Sequence, residues 1–117
     1  MNSFRVFRKG SYEFNPFRLE AKTLAGTFEA TLSKYGSKED LSCGMFRMKN
    51  NGFELTYPND EVMLIVAGEV QILAGGDTLT LTAGDIIQVR EGLRAEVRTK
   101  SSVEIFFVGY PVKEVRQ

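Results

Sequence analysis

Asp60-Glu61-Val62-Met63-Leu64-Ile65-Val66-Ala67-Gly68-Glu69-Val70 holds the longest apolar run of the chain, opened by two carboxylates and closed by a glycine. Val62 to Ala67 is apolar at both parities, so a strand here is expected to bury both faces. The run is too short for a globular helix, and β-branched Val62, Ile65 and Val66 favour extended backbone. Gly68 permits a bulge, beyond which Glu69-Val70-Gln71-Ile72-Leu73 alternates polar and apolar as a half-buried strand does. Glu61 stands out. It opens the most hydrophobic strand and shares a face with Met63 and Ile65.

Working outward, the same style continues on both sides. Thr27 to Leu32 alternates as a half-buried strand, Tyr35 to Asp40 is a polar loop, and Ser42 to Met48 is a strand. Asn50-Asn51-Gly52 carries strong turn chemistry, and Phe53 to Tyr57 is a short extended segment ended by Pro58. Beyond the central run, Gly75-Gly76, Ala83-Gly84-Asp85 and Glu91-Gly92 mark turns. They separate strands at Thr78–Thr82, Ile86–Val89, Ala95–Arg98 and Val103–Tyr110. Thr78, Thr80 and Thr82 read as a solvent face. No segment keeps a 3.6-residue apolar period over a helix length, so short strands between regular turns predict an all-β sandwich or barrel. Residues 1–25 are expected to form an N-terminal arm. Phe4–Phe7 is a strand candidate there, Asn15-Pro16 a turn, and Tyr12, Phe14 and Phe17 are aromatics that need a surface to cover. Residues 26–112 make the barrel core and 113–117 a tail, all in one domain.

Composition excludes several classes. At 117 residues the chain can bury roughly 65% of its unfolded surface without staples. Fifteen Lys+Arg balance fifteen Asp+Glu, which removes the basic field expected of a nucleic-acid or acidic-membrane binder. No stretch is long and apolar enough to span a bilayer and no signal-peptide core is present, so a cytoplasmic protein is expected. The single Cys43 allows no internal disulfide and reads as a small buried hydrophobe. Histidine is absent altogether. That excludes Ser-His-Asp and Cys-His catalytic units and any imidazole-ligated metal, leaving carboxylates, Lys, Tyr or Cys43 for chemistry.

Glu61, six residues, then Gly68 resembles the second half of the first cupin motif, in which the glutamate is a metal ligand preceded by two histidines. Gly84-Asp85-Ile86-Ile87-Gln88-Val89-Arg90-Glu91-Gly92 resembles the second cupin motif, which opens on Gly-Asp and leads to a third histidine. The two motifs cover about residues 52–98. The resemblance implies a single-domain cupin jelly-roll β-barrel of the RmlC-like kind. The positions at which the family carries its histidines hold Leu55, Tyr57 and Ala95 here, so no metal and no other cofactor is expected. Phe53-x-x-Thr56-x-x-x-Asp60-Glu61 and Phe107-Val108-Gly109-Tyr110-Pro111 are similar to the ethanolamine-utilisation cupins, a bacterial group that also lacks those histidines. That likeness implies an association with microcompartments and an acetate kinase activity. Tyr57-Pro58-x-Asp60-Glu61 also resembles small cupins akin to ureidoglycine aminohydrolase, which depend on metal.

In a jelly roll one parity of each strand faces the lumen. With Glu61 inward, Met63 and Ile65 follow, and the lumen is apolar around one carboxylate. The expected ligand pocket is Arg47, Leu55, Tyr57, Glu61, Met63, Gln88 and Ala95, with Arg47 or Arg94 as counter-charge and Glu61 and Tyr57 as candidate catalytic groups. Desolvation would raise the carboxyl pKa and an arginine would lower it. Three readings stay open: a metal-independent cupin that binds a small polar molecule as an accessory of small-molecule metabolism; an enzyme on a small carboxylate, amine or sugar through Glu61/Tyr57 acid–base chemistry; and a structural dimer or scaffold, in which Glu61 is merely hydrogen-bonded. Val62, Leu64 and Val66, on the face opposite Glu61, predict a homodimer.

Overall fold

In a computed structural model of the chain the described residues are 6, 8, 15–16, 22–25, 28–35 and 41–110. They form eight strands and, among them, no helix: β1 (Asn15–Pro16), β2 (Lys22–Ala25), β3 (Phe28–Tyr35), β4 (Leu41–Thr56), β5 (Asp60–Ala74), β6 (Asp77–Thr82), β7 (Ile86–Val89) and β8 (Arg94–Tyr110). Every pairing is antiparallel, in the order β1-β3-β4-β8-β5-β6, with β2 on β4 and β7 on β5. The Phe4–Phe7 strand candidate (Val6 apart), the arm aromatics, the 36–40 loop and the tail lie outside the described residues. Asn15-Pro16, expected as a turn, pairs instead with Ala30 and Glu29 of β3.

β4, β5 and β8 are 16, 15 and 17 residues long, and each serves two halves of the sheet. In the first half β3, residues 41–49, residues 102–110, residues 60–68 and β7 lie side by side. In the second, β2, residues 51–56, residues 94–99, residues 69–74 and β6 do so. Both halves turn alternate side chains onto one core. Phe46, Met48, Met63, Ile65, Val89, Val103 and Ile105 come from the first, and Phe53, Leu55, Val70, Ile72, Ala95 and Val97 from the second. The Phe46 and Phe53 rings meet edge to face across the bend, 5.5 Å apart at 75°. Two antiparallel layers closed around one core make the expected jelly roll.

The corners between the halves are where the local sequence decides the path. Asn50-Asn51-Gly52 is not a hairpin turn. β4 runs straight through it with a register shift between Lys49 and Asn51, and Asn50 takes the left-handed conformation (φ 44°). The turn residues supply a bend because the strands on either side pair with one continuous partner, β8, rather than with each other. Buried side chains collect the N–H groups that the bend removes from the ladder: Asn51 Oδ1 accepts from Gly52 N (2.7 Å), and Thr99 Oγ1 accepts from Ser101 N (3.3 Å). Thr99 to Ser102 therefore continues β8 instead of splitting it. On β5 the bend is the expected bulge, with register shifts on either side of Ala67–Gly68. Gly68 has φ 83°, and a β-carbon there would run into the carbonyl oxygen of Ser102.

The β6–β7 turn locks onto the same place. Asp85 Oδ2 accepts from Thr82 N (2.8 Å), while Ile65 N donates to Asp85 O (2.9 Å) and Gly84 N to Ile65 O (2.8 Å). On the central run Met63 and Ile65 are buried, but Val62 and Val66 are 40% and 44% exposed and Leu64 is half-buried. The expectation that this strand buries both faces fails within one chain, since only the inward parity meets the core.

Candidate functional site

The site is built at the junction of β4 and β5. Tyr57 follows the last residue of β4, and its backbone is held on both sides by the loop between β7 and β8: Tyr57 N donates to Leu93 O (2.9 Å) and Gly92 N donates to Tyr57 O (2.8 Å). Asp60 Oδ1 accepts from Glu91 N (2.9 Å), a third tie between the two loops. Asn59 is buried and donates through Nδ2 to Asp60 O at 2.8 Å. This clasp drives the Tyr57 ring inward, where it is 3% exposed and its hydroxyl donates to Met63 Sδ at 4.0 Å.

Glu61 is the first inward residue of β5. Its register partners are Val89 on β7 and Gly109 on β8, while Met63 lies between Ile87 and Phe107, and Phe107 in turn pairs with Gly44 of β4. Beside Glu61 and Phe107 the inner face of the sheet is therefore glycine backbone. Burial among these apolar neighbours raises the Glu61 carboxyl from 4.5 to about 7. Burial also pushes the Tyr57 phenol up, and the negative charge of Glu61 adds to it. Tyr57 thus keeps its proton at neutral pH and acts as a donor, while Glu61 samples both protonation states there.

Of the seven expected pocket residues, Leu55, Tyr57, Met63 and Ala95 are buried in the core, Glu61 is half-buried, and Leu55 pairs directly with Ala95. Arg47 and Gln88 do not line the lumen. Arg47 alternates with inward Phe46 and Met48 and is exposed; Gln88 alternates with Ile87 and Val89 and pairs with outward Val62. Arg94 is not a counter-charge for Glu61 either, since it reaches Glu54 on the outside at 3.5 Å. Sequence reasoning missed the Asp60–Glu91 tie, Val89, and the glycines at 44 and 109. The alternation of Ile87 and Val89 was the available signal for Val89. A separate cleft of about 350 Å³, bordered by Glu54, Leu73, Asp77, Arg94 and Glu96, lies beside the Gly75-Gly76 turn and does not include Tyr57 or Glu61.

The residues do not fit a cupin metal. Leu55 and Ala95 carry no donor atom, and no group of three His, Cys, Asp or Glu side chains converges among the described residues. Fold and site together define a cupin jelly roll whose interior keeps one carboxylate of the usual ligand set. The profile of the ethanolamine utilisation protein EutQ family matches residues 23–115, and the chain belongs to that family. Its fold is similar to that of an ethanolamine utilization protein Q from Salmonella typhimurium, with a TM-score of 0.80 at 23% identity over 92% of this chain and 86% of that one. The Clostridium difficile EutQ protein gives 0.68 at 22% identity over 75% and 71%. An RmlC-like cupin from Shewanella frigidimarina gives 0.66 at 18% over 83% and 87%. No curated protein sequence matches the chain. Among the described residues no helix is long and apolar enough to cross a membrane.

Proposed function

We propose that the chain binds a small polar molecule at Glu61 and Tyr57, without a metal, as an accessory of small-molecule metabolism. The observation that carries this reading is a carboxylate set in an apolar interior beside a buried phenol, with Arg47 and Arg94 both turned outward. A desolvated carboxyl of this kind offers a charged or neutral hydrogen-bonding group to a ligand that replaces its lost water. Membership of the ethanolamine utilisation family supports a place in the handling of ethanolamine or of a molecule made from it.

A second reading is acid–base catalysis on the same ligand. It is favoured by the Glu61 carboxyl standing at about 7, where it both accepts and returns a proton at neutral pH. A thermal-shift screen with ethanolamine, small carboxylates and sugars tests both readings on the native chain, Glu61→Gln and Tyr57→Phe. Binding should weaken about tenfold or more in Glu61→Gln, and the two variants should be non-additive because both touch one ligand. Hits that persist unchanged in Glu61→Gln would leave the carboxylate without a ligand and favour the scaffold reading.

A further inference from the structure

Two polar groups inside the barrel lack the partners that burial calls for. Among the described residues the Glu61 carboxylate joins no ion pair and accepts no hydrogen bond. Its neighbours across the inner face are Val89 and Gly109, with Ile87, Met63 and Phe107 in the next inward row, and none of them carries a charge. Asp60, one residue earlier, is exposed and is held by Glu91 N. Tyr57 is the titratable group that feels the Glu61 charge, and its phenol keeps its proton. That phenol donates to Met63 Sδ at 4.0 Å, a weak acceptor. The site thus holds a carboxylate without a cation and a donor without an oxygen. Room for a ligand lies beside them. Gly109 next to Glu61 and Gly44 next to Phe107 bring no side chain to the inner face, and Glu61 is only half-buried, within reach of solvent.

We infer that the ligand of this site is a small ammonium compound with an oxygen a few bonds from its nitrogen. The ammonium pairs with Glu61, the oxygen accepts from Tyr57, and the short carbon chain lies along the Gly44–Gly109 strip beside Phe107. The inference rests on the binding reading above and assigns that ligand its charge. An anion would bring like charge to the carboxylate, and a neutral polyol would leave it desolvated and without a counter-ion. A bare metal ion would find one carboxylate and, among the described residues, no convergent set of further ligands. An ammonium pairs with the ionised carboxyl, so a chain that holds the Glu61 proton releases it as the ligand enters. Carboxylic acid plus ammonium gives a carboxylate–ammonium pair and one proton in solvent. The Glu61 carboxyl stands at about 7, while an alkylammonium, like a lysine, keeps its own proton there. Binding therefore follows the ionisation of Glu61.

Nuclear magnetic resonance titration of the full chain, isotope-labelled at the glutamate carboxyls, tests the inference. The probes share a hydroxymethyl end and differ in the charge of the other: ethanolamine, ethylene glycol and glycolate. Ethanolamine should bind about tenfold or more tightly than ethylene glycol. Its affinity should rise about tenfold between about pH 6 and pH 8 as Glu61 ionises, and saturating ethanolamine should lower the pH at which the Glu61 carboxyl titrates. Glu61→Gln should abolish both the preference and the pH dependence. Tyr57→Phe should keep the pH dependence and bring ethanolamine down to the affinity of ethylamine, which lacks the hydroxyl. Ethylene glycol or glycolate binding as tightly as ethanolamine, and lost in Glu61→Gln, would overturn the inference and keep the site. Ethanolamine that fails to bind, or binds more weakly as the pH rises, would overturn the inference too. Binding of every probe indifferent to Glu61→Gln would overturn the site with it.

Discussion

The two halves of the sheet share three strands and one core, yet their outer faces differ in how much apolar surface they show. The first half turns Val62, Val66, Ile86 and Phe106 outward, with Gln88, Arg47 and Glu104 among them. The second turns out threonines and a lattice of polar contacts: Arg98 Nε to Gln71 Oε1 at 3.1 Å, Arg98 to Glu96 at 3.1 Å, and Arg94 to Glu54 at 3.5 Å. Inward residues are the same sort in both, so folding alone does not require the difference. What differs is how much apolar surface each leaves on its outside.

The sharpest way to break the pairing of the halves is at the corner they share. Gly68→Ala adds a β-carbon facing Ser102, whose carbonyl carbon would be 2.8 Å away, at a backbone angle that L-residues avoid. Urea denaturation should show a loss of about 4 kcal/mol. Gly76→Ala, at a similar angle in an open turn, should lose only about 1 kcal/mol.

Next in size is the contrast between neighbours on β5. Ile65 is 1% exposed, and Ile65→Ala should lose about 3 kcal/mol through the cavity it leaves. Val66→Ala, on the outer face, should stay within about 0.5 kcal/mol.

Glu61 sharpens the comparison from the inside. Its carboxyl titrates near 4.5 unfolded and about 7 folded, so the folded state holds the proton longer. Between those values the unfolded chain binds fewer protons, and stability falls as pH rises through that window. Relative to Glu61→Gln, the native chain should be equal near pH 4 and about 3 kcal/mol less stable at pH 8, read from urea midpoints at each pH. A difference that grows on acidification would mean that Glu61 is held ionised by an opposite charge.

The smallest effect belongs to the polar face. Arg94→Ala removes a long, exposed ion pair and should change the melting midpoint by no more than about 0.5 kcal/mol allows. A larger loss would show that the outer lattice of the second half is cooperative.

Much of the architecture was legible from local pattern. Glu61 and Gly68 followed by Gly84-Asp85 pointed to the jelly roll through their resemblance to the two cupin motifs, and both glycines take a positive φ that few other residues adopt. Asn50-Asn51-Gly52 misled because the same left-handed preference serves a hairpin turn and a bend, and only the distant partner β8 decides between them. For the site, the Met63–Ile65 parity placed Glu61 inward correctly. Arg47 was misplaced although Phe46 and Met48 on either side marked it as outward. The expected charge partner outweighed the alternation, which was the stronger signal. The Asp60–Glu91 tie was out of reach, since nothing local joins residues 31 positions apart.

The position of β8 has a consequence for how the chain acquires its fold. It is the neighbour of both β4 and β5 in each half, and its pairings with β4 link residues as far apart as Ser42 and Gly109. Until β8 is in place, β4 and β5 have no common partner, and their edges stand open in both layers. Closure must therefore wait for β8, the last of the described strands, which makes for slow folding dominated by long-range contacts. The interval before that strand arrives is when bare strand edges invite pairing with the wrong chain.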